Sequence, residues 1–571
     1  MKKILGIDMS NLKCELAAVP DPYSRLGGRG LTSTLIAREV NPTCHPLGKN
    51  NKLVIASGIL AGTISPCSQR MSVGAKSPLT GGIKEANAGG TAAQKMGRLG
   101  VAAIVLEGRP QGDKLYLVHL SKEGARLEQA DDLKGLGNYE VVRKLRERYG
   151  THVGIASIGP AGEMRMCSAT VAITDKDGNP ARHAARGGLG AVMGSKGIKA
   201  VVVDDTGVPK TVKAVNQRAF KEAASAFAAV IRERPRIKHR LGKFGTAGLL
   251  GFTSEVNSLP TRNFSTGQFE AVEQIGGDTV VARIDARGGE RGHSCYAGCV
   301  ICCSNVYMDK DSKYLTSSFE YETLGMLGSN CGIDDVDTIA TLDRLCDDYG
   351  VDTIEVGGAI GVAMEAGVLS FGDGPRTIEL LHEIGKGSPL GRILGNGVAV
   401  TGKVYGMTRV PAIKGQGLPA WDPRTALATG VTFITSPQGA DHTAGRLTGI
   451  TEFGHLVPGT IASLSKDLQI MACAYDTVGL CHFADGTPET AVWLGRLLAA
   501  YYDEEFTTEQ VKELGETILQ TEFSFNAAAG ISTAEDRLPE FMMEESLPPT
   551  DSYFTVDREE IEEVFAPYRK K

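Results

Sequence analysis

The spacing of apolar positions changes about a third of the way along the chain. Up to about residue 205 they fall in short β-branched runs: Lys52-Leu-Val-Ile-Ala56, Ala102-Ala-Ile-Val-Leu106, Leu115-Tyr-Leu-Val118 and Ala200-Val-Val-Val-Asp204. Glycine-containing turns separate these runs, which read as strands. From Val215 the period becomes helical, and the stretch 219–232 is apolar at three- and four-residue spacing. Helical patterning continues over 336–348, 353–366, 377–386, 459–481, 487–503 and 507–523, with prolines returning around 410–425. The pattern predicts an α+β chain with a β-rich N-terminal domain over 1–208. Two mainly α-helical domains follow, over 209–405 and 406–571. The charged segment from Pro548 is expected to be peripheral, and no internal repeat is visible.

Composition narrows the class. At 571 residues the chain exceeds one core, and 42% apolar with 22% charged residues is a globular balance. A net charge of −6 with scattered basic residues speaks against nucleic acid. No window holds eighteen uninterrupted apolar residues, so no membrane span is expected, and the first ten residues make a poor signal peptide. Twelve cysteines, clustered rather than dispersed, fit a reducing, cytoplasmic setting.

The cysteine cluster carries the first chemistry. Cys295, Cys299, Cys302 and Cys303 lie within nine residues, too close for all to point into one apolar core. Structural zinc prefers two separated pairs. One tight run instead suits an iron–sulfur cluster whose fourth ligand comes from far away. Glycine, at 71 residues, is concentrated in clusters near Arg29, Arg70, Arg182 and Arg186. Such loops let backbone N–H groups approach an anion, and several together suggest a ligand with more than one phosphate. Gly190-Ala-Val-Met-Gly-Ser-Lys196 has its Ser and Lys in the wrong order for a Walker A loop. Two segments, Asp347-Asp-Tyr-Gly-Val-Asp352 and Asp476-Thr-Val-Gly-Leu-Cys481, share the pattern D-x-x-G-φ-[DC] at helix ends. Cys481 is the candidate for the distant thiolate.

With these motifs the chain resembles the tungsten-containing aldehyde:ferredoxin oxidoreductases, over nearly its whole length. The stretches that carry the likeness are Leu26-Gly-Gly-Arg-Gly-Leu31, Arg70-Met-Ser-Val-Gly-Ala-Lys-Ser-Pro-Leu-Thr-Gly81, Ala86-Asn-Ala-Gly-Gly90, Ile155-Ala-Ser-Ile-Gly-Pro-Ala-Gly-Glu163 and Arg186-Gly-Gly-Leu-Gly-Ala-Val-Met-Gly-Ser-Lys196, together with the cysteine run and both aspartate motifs. The resemblance implies tungsten, or molybdenum, held by two pterins bound to the N-terminal domain. It also implies a [4Fe–4S] cluster beside one pterin and a magnesium ion between the pterin phosphates. By position, Arg70 matches the arginine between cluster and pterin, and Asn87 and Gly89 match one phosphate loop. Arg182, His183 and Ala185 match the second loop, with histidine where the archetype has alanine. Asp347, Val351 and Asp352 match the residues serving one pterin, and Asp476 and Leu480 those serving the other. Cys295, Cys299, Cys303 and Cys481 match the cluster ligands. The archetypal spacing C-x2-C-x3-C is here C-x3-C-x3-C, which leaves Cys302 as the alternative to Cys303. Glu322 and His442 match the active-site acid and imidazole.

Some positions depart from the family pattern. Thr341 and Arg344 replace the E-x-x-H that binds a bridging iron, and Gln438 and Ala444 replace basic pterin contacts. The resemblance implies oxidation of an aldehyde to a carboxylic acid, with electrons passing to ferredoxin or to an iron–sulfur subunit. The enzyme would be a homodimer or a hetero-oligomer. The alternatives are a related bis-pterin enzyme reducing an aromatic acyl-CoA, or a non-catalytic protein with structural iron–sulfur or zinc.

Overall fold

In the computed structural model, which describes residues 2–445, 456–484 and 488–569, one unit is built twice within the N-terminal third. The first copy runs β1 (Lys3–Asp8), β2 (Lys13–Ala18), α1 (Gly28–Glu39), β3 (Leu53–Ser57), β4 (Met71–Lys76), β5 (Ile83–Ala88) and β6 (Val101–Glu107). The second runs β7 (Tyr116–Ser121), β8 (Gly124–Gln129), α2 (Asn138–Tyr149), β9 (Gly154–Ser157), β10 (Val171–Ile173), β11 (Arg182–Ala184) and β12 (Ile198–Val203). Each copy is a six-stranded sheet, ordered β2-β1-β6-β3-β4-β5 and β8-β7-β12-β9-β10-β11. In both, the first strand pairs in parallel with the last and the other neighbours are antiparallel. No repeat is visible in the sequence, yet the strand order repeats. The two halves satisfy the same turns and alternations with different apolar residues, so topology repeats while sequence does not.

The alternation explains the unbroken apolar runs. Leu53, Ile55, Val73 and Ile104 of the first sheet face Val118, Leu120, Ile173 and Val201 of the second in one buried layer. The intervening Val54, Ala56 and Val105 pack on Leu31, Leu35 and Ile36 of α1. On the far side, Leu117, Ile155 and Val202 pack on Val141 and Leu145 of α2. Strands covered on both faces need apolar residues at every position.

The cysteine run forms the loop between β13 (Glu290–His293) and β14 (Ser304–Met308), in a small sheet completed by β15 (Tyr314–Ser317). The remaining chain is mainly helical: α3 (Gln217–Glu233), α4 (Val336–Tyr349), α5 (Thr353–Glu365), α6 (Ile461–Val478), α7 (Thr508–Ala528) and α8 (Arg558–Arg569) are the elements that bear on the site. A single apolar cluster, reaching from Ala161 to Tyr568, joins both helical stretches. Among the described residues no helix is long and apolar enough to cross a membrane.

The C-terminal segment is not peripheral, contrary to the expectation from its charge. Glu559, Glu562 and Glu563 of α8 face solvent. Its other face buries Ile561, Phe565 and Tyr568 in the shared cluster, and the Tyr568 ring lies tilted against Phe523 of α7, centroids 5.5 Å apart. A short amphipathic helix reads as charged overall although one stripe is apolar. Phe565→Ala is therefore expected to cost about 3–5 kcal/mol, seen as a lower urea midpoint, while Glu563→Ala leaves the midpoint unchanged.

Candidate functional site

Both aspartate motifs have the same construction. α4 and α6 end at Gly350 and Gly479, with φ of 70° and 87°, a region glycine enters without steric cost. The N–H groups of Gly350 and Val351 donate to Cys346 O at 2.8 and 2.9 Å, and those of Gly479 and Leu480 donate to Tyr475 O at 2.9 Å. Each turn then pairs with the N-terminal domain. Thr170 N donates to Gly350 O and Asp352 N to Ser168 O, both at 2.9 Å. Arg70 N donates to Gly479 O at 3.2 Å and Cys481 N to Cys67 O at 2.8 Å. Thr170 and Arg70 hold equivalent places, immediately before β10 and β4. The Arg70 side is one residue longer, and Cys67 sits in that stretch at φ 57°. Contact on this side is close enough that a Cβ on Gly28 would fall 1.9 Å from Asp476 O.

Buried ion pairs fasten the turns. Asp347 accepts from Tyr139 at 3.2 Å and lies 3.0 Å from His183 Nε2. Asp352 caps α5 through Ile354 N at 3.0 Å and accepts from Arg186 Nε at 3.1 Å. Arg186 also donates to Ala440 O, Gly417 O and Glu355. On the other turn, Asp476 accepts from Arg29 at 3.4 Å and lies 2.9 Å from His482 Nε2. Arg29 spends its remaining donors on Glu522, at 2.8 and 2.7 Å. Arg29 and Arg186 are thus consumed by protein carboxylates and carbonyls. Of the two, Arg186 also lines the cavity between the turns.

Between the turns lies a cavity of about 320 Å³. It is lined by most of the anticipated residues: Arg70, Asn87, Gly89, Arg182, His183, Ala185, Glu322, Asp347, Val351, Asp352 and His442, with Cys295, Cys299, Cys303 and Cys481. A smaller chamber of about 120 Å³ shares Arg70, Asn87, His442 and Cys481 with it and is also lined by Asp476. Leu480 is the exception. Its side chain is buried in an apolar cluster with Ile59 and Leu60, so it can serve a ligand only through its backbone. The phosphate loops expected at Asn87/Gly89 and His183/Ala185 are equivalent positions in the two repeats. β4 pairs Ser72 with Asn87, and β10 pairs Ala172 with His183. A larger cavity of about 770 Å³ lies by the C-terminal segment and includes none of these residues.

The thiols form one wall. Cys302, at φ 51°, aims its Sγ at Cys299 O, 3.3 Å away, and does not reach the cavity. Cys67, which sequence reading passed over as a lone cysteine, does line it. A Cβ on Gly89 would stand 3.0 Å from Cys295 Sγ, so glycine lets the β5 backbone approach the thiols. The hydrogen bond with Cys299 and burial push the Cys295 thiol well up. Cys299 rises to about 12, because its bond to Cys67 and its burial outweigh the opposing bond to Cys295. Burial raises Cys303 and Cys481 as well, with Arg70 opposing at Cys481. A bound cation would oppose these shifts and favour the thiolates.

This donor set fits a multi-iron cluster better than zinc. Tetrahedral zinc at about 2.3 Å from sulfur would bring thiolates to about 3.8 Å from one another. Among the described residues, only Asp175, Asp177 and His293 bring three ligand atoms within 4.8 Å, so the thiols are spaced more widely than one ion requires. Arg70 Nη1 lies 3.9 Å from Cys481 Sγ while its Nε and Nη2 donate to Asn87. Arg182 donates to Ser318 and Ser304 at 2.5 and 2.6 Å. Its Nε is buried without a partner, a donor on the cavity wall suited to an anionic group. Thr341 donates to Asp337 O and Arg344 to Leu315 O, and the Arg344 guanidinium lies over the Tyr139 ring.

On the opposite wall Glu322 is held by two bonds, from Ala420 N at 2.7 Å and Trp421 Nε1 at 3.0 Å. Its Oε1 stands 3.7 Å from His442 Nε2. The neighbouring Asp441 is ion-paired to Lys84. Burial alone would raise its carboxyl, but Lys84 and Arg186 hold it well below the usual range.

Residues 4–205 match the family described as aldehyde ferredoxin oxidoreductase, N-terminal domain, and residues 222–570 match its domains 2 and 3. The tungsten-containing aldehyde ferredoxin oxidoreductase of Pyrococcus furiosus is 34% identical over 92% of this chain and 88% of its own. An aliphatic sulfonate oxidoreductase WOR-like subunit from the same organism is 24% identical over 90% and 84%. The active-site complex BamBC of benzoyl coenzyme A reductase has a chain of like fold. Its TM-score is 0.81 at 18% identity, over 99% of this chain and 93% of that one.

The close approach at the second turn has a direct test. Gly81 has φ 74° and nothing within 4 Å of an added Cβ, whereas Gly28 would drive a methyl into the Asp476 carbonyl. Gly81→Ala is expected to cost about 1–2 kcal/mol for its conformation alone. Gly28→Ala should lower the thermal midpoint further, by about 1–3 kcal/mol of overpacking.

Proposed function

The chain belongs to the aldehyde ferredoxin oxidoreductase family, and on that premise we propose that it oxidises an aldehyde and water to the carboxylic acid. Two electrons and two protons are released, the electrons passing singly to a ferredoxin. The observation that carries this reading is the Glu322–His442 pair, 3.7 Å apart on a cavity whose other wall is thiols.

When bound, a tungsten bis-pterin supplies a two-electron couple and a [4Fe–4S] cluster supplies a one-electron exit. Cys295, Cys299, Cys303 and Cys481 would hold the cluster. Asn87, Gly89, Arg182, His183 and Ala185 would hold the pterin phosphates and their magnesium. The two turns, through Asp347, Val351 and Asp352 and through Asp476 and the Leu480 backbone, would hold one pterin each.

The chain's own groups then divide the proton work. Glu322 is oriented by the Ala420 and Trp421 donors, so that one carboxylate oxygen can take the proton of a water attacking the carbonyl carbon. His442, facing Glu322, can hydrogen-bond the substrate oxygen as charge gathers there. Arg70 joins Asn87 to Cys481, a polar link between the phosphate loop and the thiol wall.

Elemental analysis and dye-linked assays test this proposal. Tungsten near one atom and iron near four per chain are expected, with viologen reduced on addition of aldehydes. Zinc without tungsten, or turnover of benzoyl-CoA but of no aldehyde, would contradict it. Glu322→Gln should lower kcat by about 10²–10⁴-fold while tungsten and iron contents stay unchanged.

A further inference from the structure

The segment 232–243 carries Arg232, Arg234, Arg236, Lys238, Arg240 and Lys243 against a single acid, Glu233, in a chain of net charge −6. It leaves α3 and makes a π-helical turn over Ile237–Leu241. Ile237 and Leu241, four residues apart, are buried in an apolar cluster that also takes in Ile301, Cys299, Cys303 and Phe483. With that side anchored, Arg232, Lys238 and Lys243 are exposed.

The segment is fastened to both cysteine-bearing elements. Arg236 donates to Phe483 O at 3.1 Å and Arg234 to Ala484 O at 2.7 Å, just beyond Cys481. The Gly245 backbone lies so close to Cys303 that a Cβ there would meet its carbonyl oxygen at 2.7 Å. Beside this basic rim Ala297 and Gly298 are exposed, and Cys299 and Cys302 are half-buried, so the thiol wall comes nearest to solvent here. The acids in the neighbourhood are partly matched: Asp285 pairs with Arg291 at 2.8 Å, Asp177 with Lys176 at 2.8 Å and Glu233 with Lys238 at 3.1 Å, which leaves Arg232 and Lys243 as the rim's excess exposed charge.

We infer that this basic rim over the cysteine loop is the docking surface for a small acidic one-electron carrier of the ferredoxin class. The inference rests on the proposed function, which requires electrons to leave singly from the thiol side. A carrier must arrive fast, stand close to the cluster and leave again. Exposed charges of opposite sign raise the encounter rate without the large apolar contact that would slow release, and electron-transfer complexes are correspondingly small. The acidic bulk of the chain would repel such a carrier elsewhere and leave this rim as its landing place.

The test uses the fully loaded enzyme and the triple variant R232E/K238E/K243E. A two-cluster bacterial-type ferredoxin serves as one acceptor and benzyl viologen as the other. The KM for ferredoxin should rise at least about tenfold, a loss of about 1.4 kcal/mol, and lose most of its salt dependence, with viologen reduction within about twofold of wild type. An unchanged ferredoxin KM overturns the docking surface. So does an equal fall of both rates, which would make the segment structural. Neither outcome touches the proposed function, which fails separately if none of the aldehydes tested makes the unaltered enzyme reduce viologen.

Discussion

The site depends on two helix-ending turns bonded, in the same way, to two copies of one sheet. A glycine in the left-handed region lets α4 and α6 stop and double back. The residues after it pair with the N-terminal domain at Ser168 and Thr170 on one side and at Cys67 and Arg70 on the other. Two equivalent frames enclosing one cavity are the geometry expected for two copies of one ligand type. The frames differ where the chemistry differs. Asp352, paired with Arg186, stands where the second frame has Cys481. Thr170 stands where it has Arg70, whose guanidinium reaches that cysteine. A thiol wall therefore forms on one side only, which under the proposed function gives the electrons one exit.

This arrangement buries many charges. Arg29 with Glu522 and Asp476, Arg186 with Asp352 and Glu355, and Lys84 with Asp441 all lie inside the molecule. Each desolvated pair contributes little net stability, but removing one partner costs about 3–5 kcal/mol because the other is stranded. Their placement suggests a use in geometry: each joins the N-terminal sheets to the helical part, so the cavity walls move as one piece. Glu322 and His442 sit at the same seam, and their separation depends on it.

Much of this was legible in the residues, for reasons that differ by element. The strands around Val54, Ile104 and Val202 announce themselves because both faces are buried. The helix ends at Gly350 and Gly479 do so because only glycine fits there. Cys295, Cys299, Cys303 and Cys481, grouped from the sequence, line one cavity, and Cys302 is turned away from it by a positive φ that spacing does not encode. The duplication stayed hidden because equivalent positions such as Asn87 and His183 share a place on a strand and not a side-chain type. The carboxylate partners of Arg29 and Arg186 were not legible, because Glu522, Asp352 and Glu355 lie far off in sequence. The same distance concealed α8, whose Phe565 is apolar but surrounded by glutamates.

Under the proposed function the cluster is an addition to one of two interchangeable frames, and Cys481→Asp, which gives the second turn the residue found in the first, tests this most directly. Iron should fall well below about four atoms per chain, since a hard carboxylate replaces one of the soft thiolates that Fe–S clusters select. The cofactor-free variant should keep the circular dichroism and thermal midpoint of the cofactor-free parent. Retention of four iron atoms, or a cofactor-free variant that no longer folds, would contradict the account.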